Sequence, residues 1–198
     1  IKSIFYVLDK RSEIDLHGLD CYLTYLCVPH NHCIFKGVKK IHPGSFVLFD
    51  LNDTQINKYW NIDFSLKYNL SEQEIIENTD KLILESTQLR MTSDVPLGAF
   101  LSGGIDSSLV VRAMSESSNK VKTFTASFGE KEFDEADIAK QISEICQTDH
   151  FQLNITPNFS EVLQDLVWHY GEPFADSSAL PTYLIAKEAK KYITVALS

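Results

Sequence analysis

Residues 97–108 read LGAFLSGGIDSS and decide the fold of the chain. The first five are apolar or glycine, which is typical of a short buried strand, and residues 109–114 continue with the spacing of a helix's inner face. Two adjacent glycines, Gly103 and Gly104, let the backbone turn sharply between the two elements. A helix that begins directly after such a turn offers unpaired N–H groups to an anion.

The side chains of this loop suit a phosphate ligand. Ser102, Ser107 and Ser108 supply hydroxyl donors, and the carboxylate of Asp106 can hold Mg2+ against phosphate oxygens. No lysine follows the last glycine, so the loop is not a Walker A loop. That difference fits a loop that holds a leaving pyrophosphate after attack at the α-phosphorus of ATP. The alternative is a glycine turn before a capped helix, with no ligand.

The remainder of the region from residue 67 alternates helices with short apolar strands. Strands are predicted at 96–101, 121–128, 150–155 and 193–197, and helices at 71–89, 105–114, 136–146, 159–167 and 179–192. This order predicts a parallel sheet with helices on both faces. Ligands of such sheets bind beyond the carboxyl ends of the strands, here near Leu101 and Ser102, Ala126 and Phe128, and Leu197 and Ser198.

The first of these helices has a capping box at Ser71 and Glu74. We expect its buried face to consist of Ile75, Ile76, Thr79, Leu82, Ile83, Ser86 and Leu89.

Residues 1–66 have a different character, with short apolar stretches between turn signals. We expect a strand over 1–8, a helix over 16–26, and a hairpin formed by 46–51 and 56–60 after the turn at 42–45. These elements predict the edge of a β-rich domain that is incomplete by itself.

Composition and charge exclude several classes of protein. The net charge is −9 and no Lys/Arg-rich run occurs, which disfavours nucleic-acid binding. No apolar run is long enough to cross a bilayer. The four cysteines form no Cys-x-x-Cys pair, so no disulfide framework is implied and we expect a cytoplasmic protein. His30, His32 and Cys33 hint at a metal site, but their spacing is poor and we expect a surface loop.

The loop resembles the pyrophosphate loop (PP-loop) of the N-type ATP pyrophosphatases, and its surroundings resemble the asparagine synthetase B family. The similar segments are 95–101, 123–128, 133–135 and 172–184, and 34–44 resembles the last hairpin of that family's glutaminase domain. The resemblance implies an α/β fold with a doubly wound parallel sheet of the PP-loop type. It also implies that residues 1–66 are the remnant of an Ntn glutaminase domain and residues 67–198 the first part of the synthetase domain.

The resemblance assigns roles to individual residues. Phosphate and nucleotide contacts are expected from Leu101, Ser102, Gly103, Gly104, Asp106, Ser107, Ser108, Ala126 and Ser198. Asp106 is the expected Mg2+ ligand, and no catalytic acid or base is assigned. The segment from Asp176 to Ser178 either caps the following helix or lies beside the acid substrate. Asp134 and Glu135 are expected to favour a helix dipole, with a direct ligand role as the alternative.

The implied reaction converts aspartate to asparagine. MgATP activates the β-carboxylate as β-aspartyl-AMP, and ammonia from glutamine then displaces AMP. The expected partners are therefore ATP, aspartate, and glutamine or ammonia, without nucleic acid or membrane; a homodimer is left open. The alternatives are a relative that amidates another carboxylic acid, such as a sugar acid in glycan synthesis, and an inactive fragment.

We also expect the chain to be part of a longer protein. Ser198 matches the first residue of the family's second nucleotide loop, and a downstream lysine of the family has no counterpart here. The N-terminal cysteine nucleophile of the glutaminase domain is not matched by Cys21, Cys27 or Cys33. We therefore expect residues 1–198 alone to be inactive.

Overall fold

The computed structural model describes residues 1–8, 13–118, 120–127, 135–155 and 159–198. They form two compact units, one of Ile1–Tyr68 with Phe159–Ala179 and one of Asn69–Asn158 with Leu180–Ser198. The assignment of residues 1–66 to a glutaminase domain and 67–198 to a synthetase domain stays a prediction. Phe128, Phe133 and Asp134, which belong to predicted motifs, lie outside the described residues.

Seven helices and six strands are described. In chain order they are α1 Lys2–Leu8, α2 Leu16–Tyr25, β1 Ser45–Phe49, β2 Thr54–Lys58, α3 Glu72–Arg90, β3 Leu97–Phe100, α4 Ile105–Ser117, β4 Lys122–Ser127, α5 Ala136–Ile145, β5 Asp149–Asn154, α6 Phe159–Tyr170, α7 Ala179–Ala189 and β6 Val195–Leu197. Among these helices, none combines the length and the hydropathy that a bilayer crossing requires.

The first unit contains the predicted hairpin and the predicted helix. Strands β1 and β2 pair antiparallel, with Ser45 opposite Lys58. Before the hairpin, Gly44 has φ +69° and the carbonyl oxygen of Trp60 would lie 2.4 Å from a Cβ at this position, so only glycine fits. Helix α2 ends at Leu26, which adopts the left-handed conformation.

The predicted strand over residues 1–8 is wrong, because Lys2–Leu8 form helix α1. A strand needs a neighbour to receive its backbone hydrogen bonds, whereas a helix satisfies most of its own. In the described part of the chain no strand pairs with this segment. Its side chains make contacts as a helix: Phe5 packs edge-on against Phe35, and the Lys2 ammonium lies 5.4 Å from the centre of the Trp168 ring.

The second unit is built on the predicted parallel sheet. Its four strands lie in the order β5-β4-β3-β6, and all neighbouring pairs are parallel. Gly98 is needed in β3, because a Cβ there would lie 2.7 Å from the carbonyl oxygen of Lys122 on β4. Because the four strands are parallel, their carboxyl ends meet at one edge of the sheet, where the loop after β3 begins.

Helices cover both faces of this sheet, which confirms the doubly wound α/β prediction. On one face Ala99 and Leu101 pack with Val111 and Met114 of α4 and with Ala139 of α5. The core of the opposite face consists of Phe124, Ala189 and Ile193, the last two from α7 and the segment that follows it. The residues packed around this core are Phe100, Phe151, Leu153, Ile185 and Ala196. The carboxyl end of β3 therefore lies between two packed layers.

The predicted buried face of α3 needs correction. Ile75, Ile76, Leu82 and Leu89 are all at least 49% exposed. Of the predicted face, Ile83 does lie on the inner side, together with residues 80, 84, 87 and 91, of which Thr87 is buried. Two polar contacts join this helix to α4: Asp80 pairs with Arg112, and Gln88 donates to the Ser117 hydroxyl.

Candidate active site

The site begins where β3 delivers the chain to the glycine turn. The amide of Leu101 donates to the carbonyl oxygen of Phe124 on β4 at 2.9 Å, so the ladder continues one residue beyond β3. The hydroxyl of Thr125, which is also buried, donates to the carbonyl oxygen of Leu101. Leu101 is itself only 1% exposed. The last residue before the turn is thus held by a buried side chain as well as by the sheet.

The turn uses both glycines in the predicted way. Gly103 has φ +82°, a conformation that residues with a Cβ rarely adopt, and a Cβ there would lie 3.1 Å from the side chain of Ile138. Gly104 occupies the N-cap position of α4 with an extended backbone and makes no side-chain cap hydrogen bond. The first turn of α4 therefore presents its N–H groups without a capping side chain, as an anion site requires.

The three predicted serines surround this turn. The amide of Gly104 donates to Ser102 Oγ at 3.3 Å, and the amide of Ser102 donates to Ser107 Oγ at 3.3 Å. The hydroxyls of Ser107 and Ser108 donate to the carbonyl oxygen of Gly104, at 3.2 and 2.5 Å. These bonds fold the loop back on itself, and the hydroxyls can turn outward to donate to a phosphate oxygen.

Asp106 lies in the first turn of α4 and is exposed. Among the described residues no side chain forms an ion pair with it. A carboxylate that is exposed and unpaired can accept a hard cation such as Mg2+, so the donor set fits the predicted ligand.

A cavity of about 340 Å3 opens beside the turn. Predicted residues from three strand ends line it together: Leu101 and Ser102 after β3, Ala126 on β4, and Ser198 after β6. Gly103, Gly104, Asp106, Ser107 and Ser108 lie in the adjoining turn and helix start. A cavity of this size lies within the range of pockets for small organic ligands. All nine predicted site residues are therefore in the cavity wall or in the loop connected to it.

Part of the cavity wall was not predicted from the sequence. The additional lining residues are Phe100, Phe124, Thr125, Glu135, Pro181, Thr182 and Ile185. The alternation of buried strand residues gave no signal that Phe124 and Thr125 reach a cavity. Pro181 and Thr182 belong to segment 172–184, which resembles the asparagine synthetase B family. Only the packing of α7 on the sheet brings them into the cavity wall. Glu135 was expected to interact favourably with a helix dipole. It occupies the N-cap position of α5, and its side chain makes no cap hydrogen bond.

The segment that precedes α7 behaves as a helix start. The Asp176 carboxylate accepts from the amide of Ser178 at 2.7 Å. Hydrogen bonds from the Ser178 hydroxyl and amide hold the pKa of Asp176 below its usual range. This geometry agrees with the capping interpretation of Asp176; its role beside an acid substrate stays a prediction.

Comparisons with known proteins identify the family of the chain. The family model described as asparagine synthase matches residues 78–198. The glutamine-hydrolysing asparagine synthetase 1 of Bacillus subtilis (strain 168) is 37% identical over 206 residues, which cover 99% of this chain and 32% of that protein. A Methanocaldococcus jannaschii protein, provisionally named a glutamine-hydrolysing asparagine synthetase, is 35% identical over 205 residues and is covered to 39% of its length.

The amidase chyE of Penicillium rubens is 30% identical over 221 residues, covering 94% of this chain and 33% of that protein. Among solved structures, the NMN synthetase of Francisella tularensis superimposes with a TM-score of 0.41 and 14% identity, over 65% of this chain and 54% of that one. The chain spans about a third of the length of the curated relatives it matches. From the match of the family model and the identity to its members, the chain belongs to the asparagine synthase family.

Proposed function

We propose that this chain carries the nucleotide-binding loop of an ATP-dependent synthetase that joins ammonia to a carboxylic acid. The supporting observation is the junction of β3 and α4, where a left-handed Gly103 leads into a helix that has no capping side chain. This junction lies beside a cavity of about 340 Å3 at the carboxyl edge of a parallel sheet. The combination offers a positive helix end for phosphates and a space for the rest of a nucleotide.

Each part of the site has a task in this proposal. The first N–H groups of α4 and the hydroxyls of Ser102, Ser107 and Ser108 receive the β- and γ-phosphates. Asp106 holds Mg2+, which offsets phosphate charge when bound. The adenosine lies in the cavity against Leu101, Ala126 and Ser198. The apolar wall of Phe100, Phe124 and Ile185 excludes water from one side of the nucleotide.

The proposed reaction has two steps. An oxygen of the aspartate β-carboxylate bonds to the α-phosphorus of ATP, and the bond from that phosphorus to pyrophosphate breaks with its electron pair. Ammonia, released from glutamine, then attacks the acyl carbon, AMP leaves, and a proton is lost to give asparagine. The residues of this chain contribute orientation and charge neutralisation, which are the main catalytic terms in phosphoryl transfer.

A second acid substrate is the competing candidate. The observation that favours this candidate is the similarity to a protein of Penicillium rubens that is named an amidase and not an asparagine synthetase. It matches 94% of this chain. In this alternative the loop binds ATP in the same way and a carboxylic acid other than aspartate is activated.

The test is pyrophosphate release from MgATP by the full-length protein, with aspartate and either glutamine or ammonium. We expect release that depends on aspartate and a fall in kcat/KM of at least about 100-fold in Asp106→Asn, because charge stabilisation is lost. The matched control is Glu72→Gln, which also alters an exposed acid in the first turn of a helix, here α3, but one outside residues 102–108 and outside the cavity wall. Its kcat/KM should stay within about twofold of the wild type.

Two outcomes would change the conclusion. Release with another carboxylic acid but not with aspartate would favour the second candidate. If no acid supports release, or if Asp106→Asn is as active as Glu72→Gln, the proposed use of the loop is wrong.

A further inference from the structure

Three potential metal ligands come together in the first unit. His17 and Cys21 lie one turn apart on α2, and His32 comes from the loop that follows this helix. Their ligand atoms, one ring nitrogen from each histidine and the sulfur of Cys21, all lie within 4.8 Å of one another. Residues four apart on a helix share one face, which explains the first pair. The spacing 17–21–32 is not a common zinc motif, and so only the structure reveals the cluster.

The backbone around the cluster is held in place. Asp15 caps α2 by accepting from the amide of Gly18 at 2.8 Å, and its own amide donates to the carbonyl oxygen of Ile34 at 2.9 Å. A Cβ at Gly18 would lie 2.4 Å from the carbonyl oxygen of Cys33, so helix and loop are in close contact. The amide of His32 also donates to the carbonyl oxygen of Pro29 at 2.9 Å. The three side chains therefore project from a scaffold that keeps them near each other.

The distances fit a tetrahedral ion. Ligand atoms of a tetrahedral zinc site with bonds of about 2.0–2.3 Å lie roughly 3.3–3.7 Å apart. The ligand atoms here are within 4.8 Å, so side-chain rotations that move them by about 1 Å complete the site. The two imidazole rings already lie edge to face, with centroids 4.4 Å apart and an interplanar angle of 87°. This arrangement lets both rings direct a nitrogen toward a common point.

The donor chemistry selects the class of ion. A thiolate and two imidazoles suit Zn2+ and other thiophilic divalent cations, whereas Mg2+ and Ca2+ require oxygen ligands. The burial is graded, because Cys21 is 7% exposed, His32 is half-buried and His17 is exposed. An ion can therefore enter from solvent past His17, and a water completes the fourth position.

We propose that His17, Cys21 and His32 bind one Zn2+ and thereby clip the loop of residues 27–33 to α2. The site is built from other residues than the glycine turn and does not depend on the proposed ATP chemistry. Its ligands also differ from those of the second histidine pair, His30 and His42, whose Nε2 atoms are 3.1 Å apart. That pair has no thiol in contact among the described residues, so it provides an internal comparison.

The test is titration of the reduced, chelator-treated full-length protein with Co2+, followed by Zn2+. We expect a thiolate-to-cobalt charge-transfer band and tetrahedral d–d bands that Zn2+ abolishes. The wild type should bind one more equivalent of Co2+ that gives this band than the Cys21→Ser variant does. His17→Gln and His32→Gln should each weaken binding by more than about 100-fold, since loss of even an outer partner costs 10–100-fold.

The controls are His30→Gln and Cys27→Ser, which should leave the band and its affinity unchanged. His17 is exposed, so His17→Gln keeps the proposal testable even if the buried Cys21→Ser variant folds poorly. Absence of the charge-transfer band in the wild type would overturn the proposal. So would a band that survives His17→Gln, or one that disappears in His30→Gln.

Discussion

The hydroxyl oxygens of Ser102 and Ser107 lie 3.0 Å apart across the glycine turn. Ser102 accepts from the amide of Gly104, while the hydroxyl of Ser107 donates to the Gly104 carbonyl oxygen and its oxygen accepts from the Ser102 amide. The Ser102 hydroxyl can therefore donate to Ser107. The two side chains close the loop into one network, which shapes the turn.

Replacing Ser107 tests whether this network serves catalysis. In Ser107→Ala the Ser102 amide and hydroxyl lose their common partner, and we expect kcat/KM for ATP-dependent pyrophosphate release to fall by about 10–100-fold. The free energy of unfolding should change by less than about 1.5 kcal/mol, because the site is open to water. Ser115→Ala is the control, since that hydroxyl donates to the Arg112 carbonyl oxygen on the same helix. Equal losses in both variants would contradict the assignment.

A methyl group at Gly103 should damage the loop more than its conformation alone explains. Gly103 and Gly37 have nearly the same positive φ, +82° and +80°, but a Cβ at Gly103 meets Ile138 at 3.1 Å and one at Gly37 meets nothing within 4 Å. Gly37→Ala should therefore show only the backbone strain, about 1–2 kcal/mol of unfolding free energy. Gly103→Ala should lose more than Gly37→Ala and also lose pyrophosphate release. Chemical unfolding of both variants measures the difference, and equal stability losses would be inconsistent with the close approach.

The ion pair of Lys40 and Glu172 should stabilise the first unit. The two side chains are only 23% and 14% exposed, and Glu172 also accepts from the amide of Ile34 at 2.9 Å. Lys40→Met leaves the Glu172 carboxylate without its cation, and we expect a loss of about 2–4 kcal/mol in unfolding free energy.

The matched control for this pair is Lys36→Met. Lys36 pairs with Glu13, and these side chains are 67% and 81% exposed. Because exposed pairs contribute about 1 kcal/mol or less, the control should change stability little. Urea unfolding of both variants decides the point: if Lys36→Met is as damaging as Lys40→Met, burial is not the cause.

Stability should fall on acidification through His150. Burial, assisted by the nearby charge of Lys140, lowers the pKa of His150 from its ordinary value of 6.5. Its Nδ1 lies 2.9 Å from the Thr123 hydroxyl, and its Nε2 is buried with no hydrogen-bond partner among the described residues. The folded protein thus binds this proton less readily than the unfolded chain does. Its contribution is complete above pH 6.5 and is lost as pH falls through the lowered pKa.

The measurement is the midpoint of thermal unfolding between about pH 5 and pH 8, the range in which histidines titrate. His150→Asn should flatten part of the decline on the acid side, while Ser115→Ala, which removes no titratable group, should follow the wild type. A wild-type midpoint that rises on acidification, or a decline unaffected by His150→Asn, would show that another group controls this range.

Much of the fold was predictable from residues whose effect is local. Gly103 and Gly104 after an apolar stretch predicted the strand, turn and helix in their observed places, because a double glycine relieves a steric restriction whatever surrounds it. Ser71 and Glu74 likewise predicted the start of α3, where both capping bonds are present. The alternation of strands and helices implied the parallel sheet, and hence that Leu101, Ala126 and Ser198 would lie near one another.

Other features depended on which surface each element met. Residues 2–8 have the composition of a strand but form a helix, and α3 buries Thr87 while exposing Leu89. Local preferences amount to less than about 1 kcal/mol per residue, so packing partners override them. The wall that Thr125 and Thr182 add to the cavity, and the meeting of His17, Cys21 and His32, require contacts between segments distant in sequence. The sequence by itself determined the loop and the order of the elements; only the tertiary structure decided which side chains share a site, because that depends on how the elements pack.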